Sequence, residues 1–140
     1  MTRTLILTGT PRGKQRHRTG RGGHTYTPKL TTQYEAALRA LWTGSPIPRH
    51  IPVQVSVLAI HVLPASWSKR KRAELAGRRR VGKPDVDNVG KIVLDALSKV
   101  AWRDDAQVAK LTVAQWWGYE TDREGRVSVE VTWTAEEVTT

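Results

Sequence analysis

The sequence has no cysteine, no phenylalanine and a single methionine, and no carboxylate precedes Glu35. Without cysteine there can be no disulfide scaffold, no thiolate zinc site and no cysteine nucleophile. Without phenylalanine, the six tryptophans must supply much of the aromatic core or interface area. Tyr26 and Trp67 lie beside basic segments, but ordinary packing accounts for them as readily as stacking on bases. No apolar run approaches the ~20 residues of a membrane span, and Met1–Leu7 is too brief for a secretory signal. The expectation is a cytoplasmic protein with no membrane partner.

What is abundant is positive charge. Among 140 residues there are 23 lysines and arginines against 13 acids, a formal charge of +10, which points to a polyanionic partner, most simply nucleic acid. The charge is segregated. Arg12, Lys14, Arg16, Arg18 and Arg21 crowd the glycine-rich stretch 11–27, expected to be a flexible basic loop. A second block holds Lys69, Arg70, Lys71, Arg72, Arg78, Arg79, Arg80 and Lys83, relieved only by Glu74. Most acids lie at or beyond Asp104. Both blocks are candidate phosphate contacts, each adding ~0.9 to the log–log salt slope of binding.

Periodicity gives one domain, 1–140, of α+β class. Thr4–Gly9 reads as a strand. Thr32-x-x-Glu35 has the form of a capping box, followed by Tyr34, Ala37, Leu38, Leu41 and Trp42 at helical spacing. Valines 53, 55 and 57 alternate with polar residues in a strand that runs to Leu63. Ser66 or Ser68 caps a short basic helix ending near Gly77. Gln107–Trp117 and Arg126–Trp133 read as strands, with Tyr119–Gly125 as the turn of a hairpin between them. The sum is a mixed sheet of about four strands with two to three helices.

The stretch richest in chemistry is Lys83-Pro84-Asp85-Val86-Asp87-Asn88-Val89-Gly90-Lys91, continuing to Leu97. At ~100° per residue, Val89, Ile92, Val93, Ala96, Leu97 and Val100 share one arc. Asp87, Asn88, Lys91, Asp95 and Ser98 share the other, and Leu94 is the one large apolar residue in that polar half. One reading is structural: Asp87–Lys91 and Lys91–Asp95 are i,i+4 ion pairs worth ~0.2–0.5 kcal/mol each, and Asp87 or Asn88 caps the helix. That leaves Asp85 without a task. Two carboxylates so close repel unless a cation relieves them, and Mg²⁺ is typically held by one or two carboxylates plus substrate phosphate. Asp85 and Asp87 are therefore candidate Mg²⁺ ligands, with Mn²⁺ as a substitute. Asp104 and Asp105 follow the helix. Seven extended residues from Lys99 can span ~23 Å, enough to bring Asp105 back to Asp85 and Asp87 if the helix stops early and the chain doubles back. Otherwise the third carboxylate is Asp95 or comes from a partner subunit. His17, His24, His50 and His61 are scattered, and most of them read as surface or loop residues.

Lys83-Pro84-Asp85-Val86-Asp87-Asn88 with Lys91, Asp95-Ala96-Leu97 and Trp102-Arg103-Asp104-Asp105-Ala106-Gln107-Val108 resembles the RusA family of Holliday junction resolvases. Lys14-Gln15-Arg16-His17-Arg18 and Tyr26-Thr27-Pro28 are similar to that family's opening basic loop, and Pro64-Ala65-Ser66-Trp67-Ser68 to its phage and prophage members. The resemblance implies a homodimeric, Mg²⁺-dependent endonuclease that cuts four-way DNA junctions symmetrically in recombination and repair. It maps the essential acids onto Asp85, Asp87 and Asp105, with Asp104 less firmly placed, and the essential lysine onto Lys91. Gly90 departs from the pattern, at a cost of ~1 kcal/mol in helix propensity. In this scheme metal ions activate water, Lys91 stabilises charge on the scissile phosphate, and Asp95 holds Lys91 in place. A two-fold dimer would present two related sites, with Leu94 at its interface. The alternatives are a nuclease for flaps or forks and a non-catalytic basic nucleic-acid-binding module.

Overall fold

The computed structural model describes residues 1–16, 18–26 and 28–134; the side chain of Arg18 is also outside the description, as are His17 and Thr27 of the opening loop. Its elements are β1 (Thr2–Thr8), β2 (Arg18–Thr19), β3 (Thr25–Tyr26), α1 (Lys29–Ala40), β4 (Val53–His61), α2 (Lys69–Leu75), α3 (Val86–Leu97), β5 (Val108–Trp117) and β6 (Arg126–Trp133). Short 3-10 turns cover Arg21–Gly23 and Asp105–Gln107. The α+β class, the four-stranded mixed sheet and the three helices agree with the sequence expectation. β2 and β3 form a separate two-stranded ribbon within the basic loop.

The main sheet runs β1-β6-β4-β5. β6 is antiparallel to both β1 and β4, whereas β5 is parallel to β4. This corrects the expected β5–β6 hairpin. β4 lies between the two strands, and Tyr119–Gly125 carries the chain across its end. α3 is part of the crossover that a parallel β4–β5 pair requires.

Alternation along β4 sends Val53, Val55, Val57 and Ala59 inward, while Gln54, Ser56 and Leu58 face out. Val127, Val129 and Val131 of β6 continue the inner face, and the apolar arc of α3 (Val89, Ile92, Val93, Ala96, Leu97) closes over it. Each such side chain contributes about 1.5–3 kcal/mol of transfer free energy when fully buried. α1 packs beside α3 and over β1. Leu94 is half-buried and packs against this core, so its apolar character already has a use within one chain. Trp102, beyond the far end of α3, is the largest of the fully buried side chains among the described residues.

Two local expectations are corrected. α1 begins at Lys29 after Pro28, whose carbonyl accepts both the Thr32 amide (3.1 Å) and the Thr32 hydroxyl (3.3 Å). Thr32-x-x-Glu35 is thus inside the helix rather than a capping box, because α1 starts three residues earlier, and Glu35 is engaged by Lys14 instead. The N-cap position of α3 is Asp85, not Asp87 or Asn88, and its carboxylate makes no capping bond. α2 follows expectation, with Ser68 accepting the Lys71 amide at 3.2 Å.

Candidate active site

Asp85 and Asp87 sit at the N-terminus of α3, both exposed. The positive end of the helix dipole lowers the cost of placing two anions there by about 0.3–1 kcal/mol each. Asp85 accepts a hydrogen bond from Lys83 Nζ at 2.9 Å. Lys91, one turn beyond Asp87, is exposed, and among the described residues no carboxylate pairs with it. The i,i+4 ladder of the structural reading is therefore absent, and Asp95 does not hold Lys91. Asp95 instead accepts Lys14 Nζ at 3.1 Å, and Glu35 accepts the same ammonium at 2.8 Å.

That triad corrects two expectations about the basic loop. Lys14 is mostly buried, so it is a tie between loop, α1 and α3 rather than a phosphate contact. Burial draws its pKa down, but the hydrogen bonds to Glu35 and Asp95 more than compensate and leave it raised. The start of the loop is not free either. Lys14 N donates to the Asn88 carbonyl at 2.9 Å, and a Cβ on Gly13 would meet Pro84 Cβ at 2.8 Å. Only glycine allows this approach. On α1, burial pushes the Tyr34 phenol up to about 12 against an opposing backbone hydrogen bond from Arg12. The docked loop and Lys83-Pro84 enclose a cleft of about 360 Å³ lined by Arg12, Gln15, Thr31 and Asn88.

Asp105 is not brought to this site within one chain. It precedes β5, whose first residue Val108 pairs with Val53, whereas Pro84 is bonded to Gln115 seven residues along β5. At ~3.3 Å per residue, the two ends stand on the order of 20 Å apart. α3 does stop at Leu97, but the chain then turns through Ser98–Trp102 at the far end instead of doubling back. There Asp105 accepts the indole N–H of Trp102 at 3.0 Å. Asp104 accepts the Ala106 amide at 2.9 Å in a capping box completed by Gln107, which gives it a structural task. Among the described residues no group of three or more His, Asp or Glu side chains could hold a metal. What one chain offers is two exposed carboxylates two residues apart at the start of α3, hard oxygen donors of the kind Mg²⁺ takes alongside substrate phosphate and water.

The remaining cations divide by exposure. Arg12, Arg16, Arg21, Lys69, Arg70, Lys71, Arg78, Arg79 and Lys83 are exposed and available to phosphates. Arg72 is half-buried, with its Nε unpartnered. Arg80 turns inward: its guanidinium lies 5.0 Å from the Trp117 ring centroid and donates to the Lys83 carbonyl at 2.7 Å. Trp67 packs edge-on against Trp117 at 4.9 Å and carries Lys71 over its face, so packing accounts for it; Tyr26 remains half-exposed. His61, one of four histidines of which most were expected at the surface or in loops, is buried. The signal was its inward position at the end of the Val53-Val55-Val57-Ala59 alternation.

Helices packed on a small mixed sheet, with two exposed acids at the start of α3 and a cationic loop docked beside them, define a single α+β domain. The family model of endodeoxyribonuclease RusA matches residues 8–132, and the chain belongs to that family of endodeoxyribonucleases. It is also 38% identical over 73 residues to the uncharacterized protein YqaN of Bacillus subtilis (strain 168), covering 49% of this chain and 51% of that protein. The match thus spans about half the length of that curated relative. No helix among the described residues is long and apolar enough to cross a membrane.

Proposed function

We propose that the chain is a Mg²⁺-dependent, structure-selective endodeoxyribonuclease that resolves four-way DNA junctions by paired phosphodiester hydrolysis, acting as a homodimer in recombination and repair. The observation that carries this reading is the freedom of the site. Asp85 spends no carboxylate oxygen on capping α3, Asp87 and Lys91 form no ion pair among the described residues, and all three are exposed beside a cationic cleft.

Asp85 and Asp87 would hold the metal, which when bound supplies a Lewis acid and a water of lowered pKa. Lys91 stands one turn away, able to donate to a non-bridging oxygen as negative charge accumulates on the phosphoryl group. Lys83 neutralises Asp85 until substrate enters and can then shift to the phosphate. The exposed arginines of the loop and the lysines of α2 hold the flanking backbone.

The dimer is argued from Asp105. It lies at the opposite end of α3 and β5 from Asp85, and β5 is a sheet edge along its first half. A two-fold that sets this edge antiparallel to its copy would carry Asp105 of the partner subunit toward Asp85 and Asp87. Leu111 on that edge and Val86 at the start of α3, 41% and 48% exposed, would gain cover in such a dimer.

The test is cleavage of a labelled mobile four-way junction in Mg²⁺, in EDTA, and with Asp87→Asn. Paired symmetric nicks, lost in both controls while the variant keeps its melting temperature, are expected. Tight binding without metal-dependent cutting would leave a basic binding module. Preferential cutting of flaps or forks would move the substrate but not the chemistry.

A further inference from the structure

Beyond the acids themselves, the segment that carries Asp85 is held from behind by a buried polar chain. His61 ends β4 and Gln115 lies near the end of β5, both 6% exposed, on the inner face of the sheet just past the start of α3. Gln115 Nε2 donates to the Pro84 carbonyl at 2.6 Å. That carbonyl belongs to the peptide plane of the Asp85 amide. A carbonyl can only accept, so the amide nitrogen of Gln115 must face Pro84 and its Oε1 must face His61, 2.7 Å from Nε2. His61 Nε2 therefore carries the proton and donates it. The same segment is tied twice more: the Arg80 amide donates to the Gln115 carbonyl at 3.0 Å, and the Arg80 guanidinium to the Lys83 carbonyl at 2.7 Å.

A hydrophobic core at this point would need neither residue. Leu or Val at 61 and 115 would extend the apolar face of Val57, Ala59 and Val113 without burying two polar side chains, which cost stability whenever they are left unbonded. The pair makes sense through what it grips. The backbone between the bridge Arg79–Trp116 and the first turn of α3 contributes no apolar core residue, so polar contacts must fix it. We propose that Gln115, oriented by His61, is a positioning residue for the Asp85 carboxylate, setting the peptide plane from which that side chain projects. The proposal rests on the reading of Asp85 as a metal ligand, since a helix cap of no chemical consequence would need no such support. Groups that orient metal ligands from behind typically change metal affinity 10–100-fold when removed.

The experiment compares wild type with Gln115→Leu, His61→Leu and His61→Gln. The last keeps a nitrogen donor near the place of Nε2. Two readouts are taken on the protein without DNA: peptide-resolved amide hydrogen exchange, and Mn²⁺ affinity by calorimetry. Cleavage of the four-way junction is then split into kcat and KM. Expected for Gln115→Leu and His61→Leu is at least tenfold faster exchange in the peptide spanning residues 83–88, with β4 and β5 still protected. Mn²⁺ should bind about tenfold more weakly, and kcat should fall with KM nearly unchanged. His61→Gln should restore most of all three. Unchanged exchange over 83–88 in a folded Gln115→Leu protein would overturn the positioning role whatever the activity. So would loosening spread evenly over β4, β5 and the segment, because that is plain destabilisation. A wild type that binds no Mn²⁺ and cuts no junction would sink the nuclease reading instead, and the exchange result would still decide whether His61 and Gln115 hold the segment.

Discussion

At the scale of single residues, the most consequential cation is one that DNA cannot reach. Lys14 satisfies Glu35 and Asp95 together, and with it absent Glu35 would be a buried carboxylate without a counter-charge. Breaking such a pair from one side costs about 3–5 kcal/mol, so Lys14→Met should lower stability by roughly that amount in a urea melt. Asp95→Asn should cost under about 1 kcal/mol, since Asp95 is 36% exposed and exposed pairs contribute little. His61 gives a pH signature. Burial, and the nearby Arg80 charge, hold its imidazole below its ordinary pKa, partly opposed by the Gln115 hydrogen bond. The unfolded chain therefore binds this proton at a higher pH than the folded one. Stability from this residue is present above about pH 6.5 and lost as the pH falls toward the lowered folded value. Thermal melts of wild type and His61→Gln from pH 8 to pH 5 should diverge in that window only, with wild type losing more.

At the scale of elements, α3 was the most legible part of the chain, and its glycine was the least. The wheel separated core from polar stripe correctly because a 3.6-residue period survives any tertiary context. The reason for Gly90 did not appear there. A Cβ at that position would sit 3.0 Å from Val113 Cγ2 and 3.2 Å from Leu111 Cδ2, so the glycine lets α3 lie close on β5. Gly90→Ala should fall within about 1 kcal/mol of wild type, the propensity gain offset by pressure on Val113. Gly90→Leu should lose ~1–3 kcal/mol in the same denaturation assay. The β5–β6 hairpin was misread because alternation identifies a strand and its buried face, not its neighbour. Arg126–Trp133 was located from its alternating valines, yet nothing local to it announces that β4 intervenes. The capping-box motif at Thr32 failed similarly: the pattern was present, but α1 starts three residues earlier, and a buried ammonium from another segment engages its glutamate. Of the candidate site, Asp85, Asp87 and Lys91 share one helix and could be grouped by spacing. Asp105 could not, since its position depends on where the chain turns after Leu97, and His61 with Gln115 required the β4–β5 register.

For the whole molecule, segregation of charge is the organising fact. The exposed lysines and arginines cluster in the opening loop, α2 and the 78–83 segment, all ahead of Asp85 in the chain, while most acids fall at or beyond Asp104. If α2 binds phosphates, Lys69→Ala with Arg70→Ala should lower the log–log salt slope of junction binding by about 1.8, at ~0.9 per contact. Lys14→Met, where still folded, should leave that slope unchanged. Sedimentation should give twice the mass of one chain, and Leu111→Glu at the β5 edge should halve it; a wild type that sediments as one chain would remove the composite site.

The pairing of β1 with β6 has a further consequence for how the molecule comes into being. Thr2 sits opposite Thr132, and Thr8 opposite Arg126, so the first strand made waits for the last. During synthesis β1 emerges with no partner, and β4 gains its antiparallel neighbour only when β6 follows it out of the ribosome. Such long-range closure is slow, because loop entropy must be lost before the contacts form. The clustered positive charge of the early segments opposes self-association of the waiting chain through mutual repulsion until the sheet that supports Asp85 has closed.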